Sequence, residues 1–505
     1  MERRFNLVYE DWIPVAGRGR VSLERIFSDP ELENLGGTPV HKISILKLLL
    51  GIAQAAHTPA DDDEWSSLGA EGMAAACLDY LHKKKDRFWL YGDEPFLQMK
   101  GLSNKTTNLK GKKIKKYDRF RPYLPDVSST NDTILSEFQI DRPLHDSDRA
   151  LMLVSLMNYA PGGKRVENIG PLSSVYVGKG TSAKAGPSLG GYIGYLNSCL
   201  WSDTVINTVY ANLFTLKSIK EMGFWRDLSV IPPWEAMPKH EDDPIAGRIR
   251  NSIYGSLCAL SRFILFTEQG MVYTEGLQYP SHKDGWREPF FSWNNKDQFL
   301  WLDTEKKPWR NFVSLLNFPM SGGDATYQCP QINAFWNRGR ERLSVLGVWS
   351  GGLKVRGTAG DQSVKQKDDF VESLILVPTD IIGSQWFSVL QGEMAYLEQL
   401  SKILYSSMKE YFRELKSQKT NQLSKAQYSY WELTEGYLPE IVLHCESEEK
   451  MKAVRRNCID IVHRLYNEYC PSQTSRQITA WAKNRPRINI STRNRQEGKI
   501  AVENS

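Results

Sequence analysis

From about residue 380 onward, the chain carries apolar residues at the spacing of an amphipathic helix. One series advances in steps of three, four or seven residues and consists of Trp386, Leu390, Met394, Leu397, Leu404, Met408, Tyr411 and Leu415. A second series consists of Val454, Cys458, Ile461, Leu465 and Tyr469. Residues 427–445 indicate a further helix, disturbed by Pro439, and residues 478–481 a shorter one. The pattern predicts a C-terminal helical bundle.

The preceding part of the chain has a mixed pattern. Residues 5–9 form a strand-like run, residues 21–27 carry apolar positions at helical spacing, and residues 43–56 predict a stronger helix. Residues 100–190 have little periodicity apart from the apolar stretch 150–157. Short strand-like runs at 271–273, 299–302 and 343–349 then alternate with turn clusters. We therefore predict an α+β protein, with a large, irregular mixed domain at residues 1–378 and a helical domain with a basic tail at 379–505.

Composition narrows the class of protein without identifying it. Hydrophobic residues make up 41% and charged residues 24% of the 505 positions, which is typical of a globular chain. The apolar run 43–56 is interrupted by Lys47 and is too short for a bilayer, which needs about 20 apolar residues. No export signal is visible, and the seven cysteines contain no C-x-x-C pair. We expect buried thiols in a cytoplasmic protein that does not bind a membrane.

The net charge of +5 conceals two basic segments. Residues 105–121 carry +7 and residues 476–499 carry +6, so the rest of the chain is at −8. The cations of the first segment are interleaved with Tyr117 and Phe120, a mixture that suits a DNA backbone. They are Lys105, Lys110, Lys112, Lys113, Lys115, Lys116, Arg119 and Arg121. We predict phosphate contacts for this segment, with a solvated loop as the alternative. For the second segment, disorder and phosphate contact remain equally open.

Catalytic motifs are weak. The acidic run 61–64 could hold Mg²⁺ in a nuclease, but it follows a predicted helix and fits the N-cap of the next helix better. The same holds for the acids at 241–243. The His145-Asp146 dipeptide could join a metal site, but a polar loop is the simpler interpretation. We therefore expect binding rather than catalysis, with no metal and no cofactor; a metal-dependent nuclease and a generic nucleic-acid-binding scaffold remain the alternatives.

Several segments together resemble one family. The run Asn-Leu-Val-Tyr-Glu-Asp-Trp-Ile-Pro-Val at 6–15 resembles the opening of the CasA family, the large subunit of the type I-E CRISPR Cascade surveillance complex. Residues 48–54 and the Glu-Pro-Phe-Leu-Gln segment at 94–98 are similar to later family segments. The Asn-Tyr-Ala-Pro-Gly-Gly run at 158–163 is similar to the family's glycine loop. The resemblance extends over the whole chain and implies a mixed N-terminal domain followed by a four-helix bundle.

This resemblance implies a function and a set of partners. A CasA-like subunit is non-catalytic and docks on a complex that contains CRISPR RNA, backbone subunits and small subunits. It recognises a protospacer-adjacent motif in double-stranded DNA, helps to open the duplex for R-loop formation, and recruits a helicase-nuclease. The residues of this chain can be matched to those roles in three places.

The first place is the glycine loop, with Pro161, Gly162, Gly163 and Lys164. The resemblance implies that it enters the DNA minor groove, which is only about 6 Å wide and favours residues without a Cβ. An ordinary Gly-Gly turn is the alternative.

The second place is a hairpin whose tip resembles Gly360, Asp361, Gln362 and Ser363. The resemblance implies that Gln362 acts as a wedge under the motif, where a planar amide can replace base stacking. Gln366 is the less favoured alternative, and an exposed turn glutamine is the other interpretation.

The third place is the loop 126–142, in which Phe138 matches an aromatic residue that contacts CRISPR RNA and a neighbouring backbone subunit. A buried Phe138 is the alternative. Two departures from the family limit the transfer. The middle of the chain has only Cys258 where some relatives have a cysteine cluster, so no zinc is expected, and a motif-probing lysine is absent from 271–275. Lys283 could substitute for that lysine.

Overall fold

The computed structural model describes residues 2–102, 144–159, 194–228, 231–240, 243–267, 270–277, 279, 287–294, 296, 298–322, 327–354, 369–417 and 420–488. The chain forms two compact units. Unit 1 comprises Met1–Thr304 and Thr326–Leu376, and unit 2 comprises Glu305–Ala325 and Val377–Ser505. Unit 2 thus includes residues 305–325, which the sequence pattern assigned to the N-terminal domain.

The strands are short and lie in small antiparallel pairs, apart from one three-stranded sheet with the order β5-β8-β9. They are β1 (Arg4–Asn6), β2 (Ile13–Val15), β3 (Gly19–Val21), β4 (Trp89–Tyr91), β5 (Asn197–Trp201), β6 (Arg262–Thr267), β7 (Gly270–Glu275), β8 (Val345–Lys354) and β9 (Asp369–Pro378). The predicted strand at 271–273 is confirmed as part of β7. The run 299–302 forms isolated bridges instead of a strand, and residues 7–9 form a turn after β1.

Helices account for most of the remaining described structure. In unit 1 they are α1 (Leu23–Ser28), α2 (Pro39–Ala56), α3 (Asp62–Lys84), α4 (Asp146–Asn158), α5 (Val205–Asn212), α6 (Leu216–Met222), α7 (Pro244–Arg250), α8 (Tyr254–Leu257) and α10 (Pro330–Arg342). In unit 2 they are α9 (Phe312–Ser321), α11 (Ser384–Glu414), α12 (Thr420–Glu435), α13 (Leu438–His444), α14 (Glu448–Tyr469) and α15 (Ser475–Asn484). Together with the small sheets, they confirm the α+β class.

Helix α2 passes through the core of unit 1 and is buried along most of its length. It starts four residues before the apolar run, because Thr38 accepts a hydrogen bond from the His41 N–H and Pro39 fits the first turn, where its missing N–H costs nothing. Helix α3 follows, with Asp61 at its N-cap accepting hydrogen bonds from the backbone N–H groups of Asp63 and Glu64 at 3.1 and 3.0 Å. The predicted capping role of the acidic run is therefore confirmed.

Unit 2 follows the helical periodicity closely. Helices α11 and α14 contain the two predicted apolar series except Leu415, which is the C-cap residue of α11, and α11, α12 and α14 pack against one another. The predicted helix at 427–445 is divided into α12 and α13, and Pro439 lies in the first turn of α13, a position that tolerates proline. Two buried contacts tie the helices together: the Tyr430 hydroxyl donates to the Leu397 carbonyl at 2.9 Å, and Arg455 pairs with Glu393.

Candidate nucleic-acid interface

All site residues assigned from the sequence lie outside the described residues. These are Pro161, Gly162, Gly163 and Lys164; Gly360, Asp361, Gln362 and Ser363; Phe138; the eight cations of 105–121; and the alternatives Gln366 and Lys283. The structure instead shows the points in the described chain that directly precede or follow those segments. Three such points can be described in unit 1.

The first point is the end of α4, directly before the segment 160–193 that holds the glycine loop. The Asn158 side chain is buried and donates a hydrogen bond to the Leu257 carbonyl at 3.1 Å. The hydroxyl of Tyr159 donates to Oδ1 of Asn197, the first residue of β5, at 2.8 Å. The Asn-Tyr pair of the sequence motif therefore ties the end of α4 to α8 and to β5.

The second point is the end of the same segment at Gly194. Its φ of 78° is in the left-handed region, which favours glycine. A Cβ built on Gly194 would lie 3.4 Å from both the Leu353 carbonyl oxygen and the Cα of Lys354. Lys354 is the last described residue before the segment 355–368, which holds Gln362. Gly194, which follows the segment with the glycine loop, and Lys354, which precedes the segment with the predicted wedge, therefore lie side by side.

The two longest strands of this sheet, β8 and β9, approach one another closely. A Cβ on Gly347 would overlap the carbonyl oxygen of Ile375, and one on Gly351 would lie 2.9 Å from the carbonyl oxygen of Val371. The Ser-Gly-Gly cluster at 350–352, interpreted from the sequence as a turn, is therefore strand: its small residues permit this close approach. The indole N–H of Trp349 also donates to Glu372 across the pair at 2.9 Å.

A fully buried ion pair lies close to the first point and was not predicted from the sequence. Lys47 of α2 pairs with Glu288, and both side chains are 0% exposed. The Lys47 ammonium also lies 5.2 Å from the Tyr159 ring centroid and 4.9 Å from that of Phe290, a cation–π arrangement. Burial lowers the pKa of Lys47 and raises the pKa of Glu288, while their mutual attraction opposes both shifts. The sequence signal for this ion pair was Lys47 itself, a lysine inside the otherwise apolar run 43–56.

The third point is the start of α4, just after the segment 103–143 that holds the basic cluster and Phe138. His145 caps the helix together with Asp148. The Asp146 carboxylate accepts a hydrogen bond from the Tyr91 hydroxyl at 2.7 Å and pairs with Arg149 at 3.5 Å. The interpretation of His145-Asp146 as a polar loop is therefore wrong: the dipeptide begins a helix, where acidic side chains are favoured by the unpaired N–H groups.

The described part of the chain also bears on metal binding, thiol chemistry and membrane insertion. Within it, no three His, Cys, Asp or Glu side chains form a cluster that could hold a metal ion. All seven cysteines belong to this part, and each is a buried, free thiol, as predicted. Burial raises the pKa of Cys329 to about 11. In the same residues, no helix is both long and apolar enough to cross a membrane.

Comparison with known proteins shows the family. The family model described as CRISPR-associated protein Cse1 matches residues 6–465. A CasA/Cse1 protein of Thermus thermophilus is 29% identical over 175 residues, which span 32% of this chain and 32% of that relative. Thermobifida fusca Cse1 superposes with a TM-score of 0.68 at 17% identity, covering 95% of this chain and 97% of that one. A chain of a CRISPR RNA-guided surveillance complex gives 0.62 at 14% identity, covering 96% and 99%. This chain therefore belongs to the Cse1 (CasA) family, the large subunits of type I-E CRISPR Cascade complexes.

Proposed function

We propose that this subunit recognises the protospacer-adjacent motif in double-stranded DNA through the minor groove and helps to unwind the target for R-loop formation. The observation that carries the proposal is the meeting of Gly194 with Lys354. Gly194 follows the segment with Gly162 and Gly163, Lys354 precedes the segment with Gln362, and both lie at one end of the β5-β8-β9 sheet. A loop that reads a groove and a side chain that enters the adjacent base step must act within a few base pairs of each other, and neighbouring flanking residues at one end of the sheet support that arrangement.

The two segments would contribute different kinds of interaction. Glycines at 162 and 163 would allow the backbone into the groove, and Lys164 would meet a flanking phosphate. Gln362 would replace the stacking that disappears when the first base step opens, which costs about a few kcal/mol. The cations of 105–121 would add sequence-independent attraction to the DNA backbone. Discrimination between DNA sequences would therefore come from the nearly uncharged segments around Gly162 and Gln362, while the charged segment 105–121 would supply affinity for any DNA.

The remaining roles complete the proposal. Phe138 would contact CRISPR RNA and a backbone subunit, and the helices of unit 2 would form the family's four-helix bundle, which the packing of α11, α12 and α14 supports. The chain would act without catalysis of its own, in the cytoplasm, beside small subunits and a recruited helicase-nuclease. The solved neighbours titled as CRISPR RNA-guided surveillance complexes support an assembly of this kind, and free buried thiols favour a reducing compartment.

The proposal is tested on the complex assembled with CRISPR RNA. Gln362→Ala and Gly162→Asp should each abolish opening of a motif-bearing duplex while assembly stays intact. Gln366→Ala tests the less favoured alternative for the wedge and should leave opening intact. Gly247→Asp is the control for an added acid, because a Cβ at Gly247 in α7 meets no atom within 4 Å. Unchanged opening by both test variants would refute the site assignment. DNA cleavage by the purified chain with Mg²⁺ or Mn²⁺ would support the nuclease alternative instead.

A further inference from the structure

An aromatic cluster lies next to Gly194 in unit 1. Tyr195 is at its centre: its ring centroid is 4.6 Å from that of Trp301, 4.8 Å from Phe291 and 4.9 Å from Phe299. Trp293 extends the cluster through Phe299 at 5.8 Å. Phe291 and Phe299 are buried, but the Trp301 side chain is 47% exposed. Trp301 therefore offers partly exposed indole surface for stacking, and its contact with Tyr195, which packs on Phe291 and Phe299, holds it in place.

The backbone explains why Tyr195 and Trp301 lie together. The two residues form an antiparallel bridge, with the Leu196 N–H donating to the Leu300 carbonyl at 3.0 Å. Side chains opposite one another in such a pair project to the same face. Leu196 and Leu302 point to the other face, where they pack with Val371 in a small core. The exposed indole is therefore held on a paired backbone, opposite the residue that follows Gly194, and Gly194 itself lies against Lys354.

Cations surround the cluster. The Arg287 guanidinium lies 5.6 Å from the Trp293 ring centroid and 5.7 Å from that of Phe299. Lys296 is exposed in the turn between those two rings. Lys354 lies at the Gly194 side, with its Nζ 3.8 Å from an Asp303 carboxylate oxygen. Among the described residues, Arg287, Lys296 and Lys354 thus accompany the rings together with the acid Asp303, and Asp297 follows Lys296 in the sequence. Cations beside aromatic rings suit a phosphodiester with an unpaired base more than an apolar protein surface.

We propose that Trp301 binds an unpaired nucleotide of the DNA strand that is released when the duplex opens at this end of the β5-β8-β9 sheet. Tyr195 supports the Trp301 side chain, and Lys354 and Arg287 are the nearby cations. The base stacks on the exposed indole, and the cations contact its phosphates. This inference rests on the proposed function, because duplex opening supplies the unpaired strand. It adds a binding site for the product of opening that is distinct from the residues assigned to motif reading and to the wedge.

The test uses the complex assembled with CRISPR RNA and two forms of the target: a fully paired duplex and one with a mismatched bubble beside the motif. Trp301→Ala should weaken binding of the bubble target by about 5- to 150-fold, the range expected for the loss of one stacked base. Trp301→Phe should retain most of the affinity, because it keeps an aromatic face. Leu374→Ala is the matched control, since Leu374 is 40% exposed on β9 and offers no ring.

The bubble separates this inference from the function on which it rests. A mismatched bubble needs no wedge, so it should rescue Gln362→Ala but leave the defect of Trp301→Ala in place. If Gln362→Ala opens a paired target normally, the wedge assignment fails while the stacking site can still be tested on the bubble. Parental affinity of Trp301→Ala for the bubble target would overturn the inference. So would a loss of complex assembly by Trp301→Ala with unchanged binding of a single-stranded oligonucleotide by the purified chain, because Trp301 would then contact a protein.

Discussion

Replacing Lys47 with methionine tests the buried ion pair of unit 1. Methionine keeps most of the side-chain volume but removes the cation, which leaves Glu288 in a site where both side chains are 0% exposed. Removing one partner of a buried pair costs about 3–5 kcal/mol, because the other charge loses its compensation. We expect Lys47→Met and Glu288→Gln each to lower the free energy of unfolding by that amount. The double variant should lose less than either single variant, since it buries no charge.

The two single variants should respond to pH in opposite directions. Without Lys47, burial alone acts on Glu288 and its pKa in the folded protein rises further above the unfolded value. The folded state then binds more protons than the unfolded state, so stability is retained at low pH and falls as pH rises. In Glu288→Gln, the pKa of Lys47 falls further, so stability rises with pH. Each slope is limited to about 1.4 kcal/mol per pH unit.

Urea unfolding of the full chain at several pH values, followed by circular dichroism, measures both effects. A double variant whose loss equals the sum of the two single losses would refute the pairing, because coupled residues cannot behave additively. Parallel pH slopes for the two single variants would refute the assignment of the charges. A matched control is Lys83→Met, which removes a lysine whose ion pair with Asp79 is largely exposed and should change stability by less than about 1 kcal/mol.

Three further predictions follow from charge, burial and protonation. Replacing four lysines of the basic segment with alanine should reduce the salt dependence of DNA binding by up to about 0.9 in log–log slope for each phosphate that is no longer neutralised, and an unaltered slope would mean that they face solvent; the four are Lys112, Lys113, Lys115 and Lys116. Burial and the neighbouring Arg20 lower the pKa of His41 to about 4, so its contribution to stability is present above about pH 6.5 and declines as pH falls towards 4; in urea titrations, His41→Gln should flatten that decline, and an unchanged profile would contradict it. The seven thiols should react slowly with dithiobis(nitrobenzoate) in native protein and fully in urea, because all are buried; rapid native reaction of any one would show that its site opens.

The helices of unit 2 were the easiest part of the structure to predict. Along α11 and α14 one face is buried and the other exposed, so a period near 3.6 is visible in the sequence alone. Helix α2 was harder, because it is buried on nearly all sides and its start depends on the Thr38 cap rather than on periodicity. The extent of β8 was missed for a related reason: its glycines resemble a turn until the partner strand is known.

The candidate interface could be predicted only in part. Motifs predict the glycine loop and the wedge along the chain, but no local pattern shows that the residues flanking their segments, Gly194 and Lys354, meet in the folded sheet although they are 160 positions apart. Lys47 and Glu288 are separated by 241 positions, so no local pattern links them. Trp301 gave no signal either, because an exposed tryptophan has the same local sequence context as a buried one.

Because β8 and β9 approach closely at Gly347, the position of the proposed wedge can be changed without changing the Gln362 side chain itself. A single methyl group at residue 347 would force the two strands apart, since it would overlap the Ile375 carbonyl. Every side chain that we propose to contact DNA would still be present, but Lys354 at the end of β8, which precedes the segment with Gln362, would be displaced. On the proposed function, a substitution at Gly347 should therefore reproduce the loss of target opening expected for Gln362→Ala.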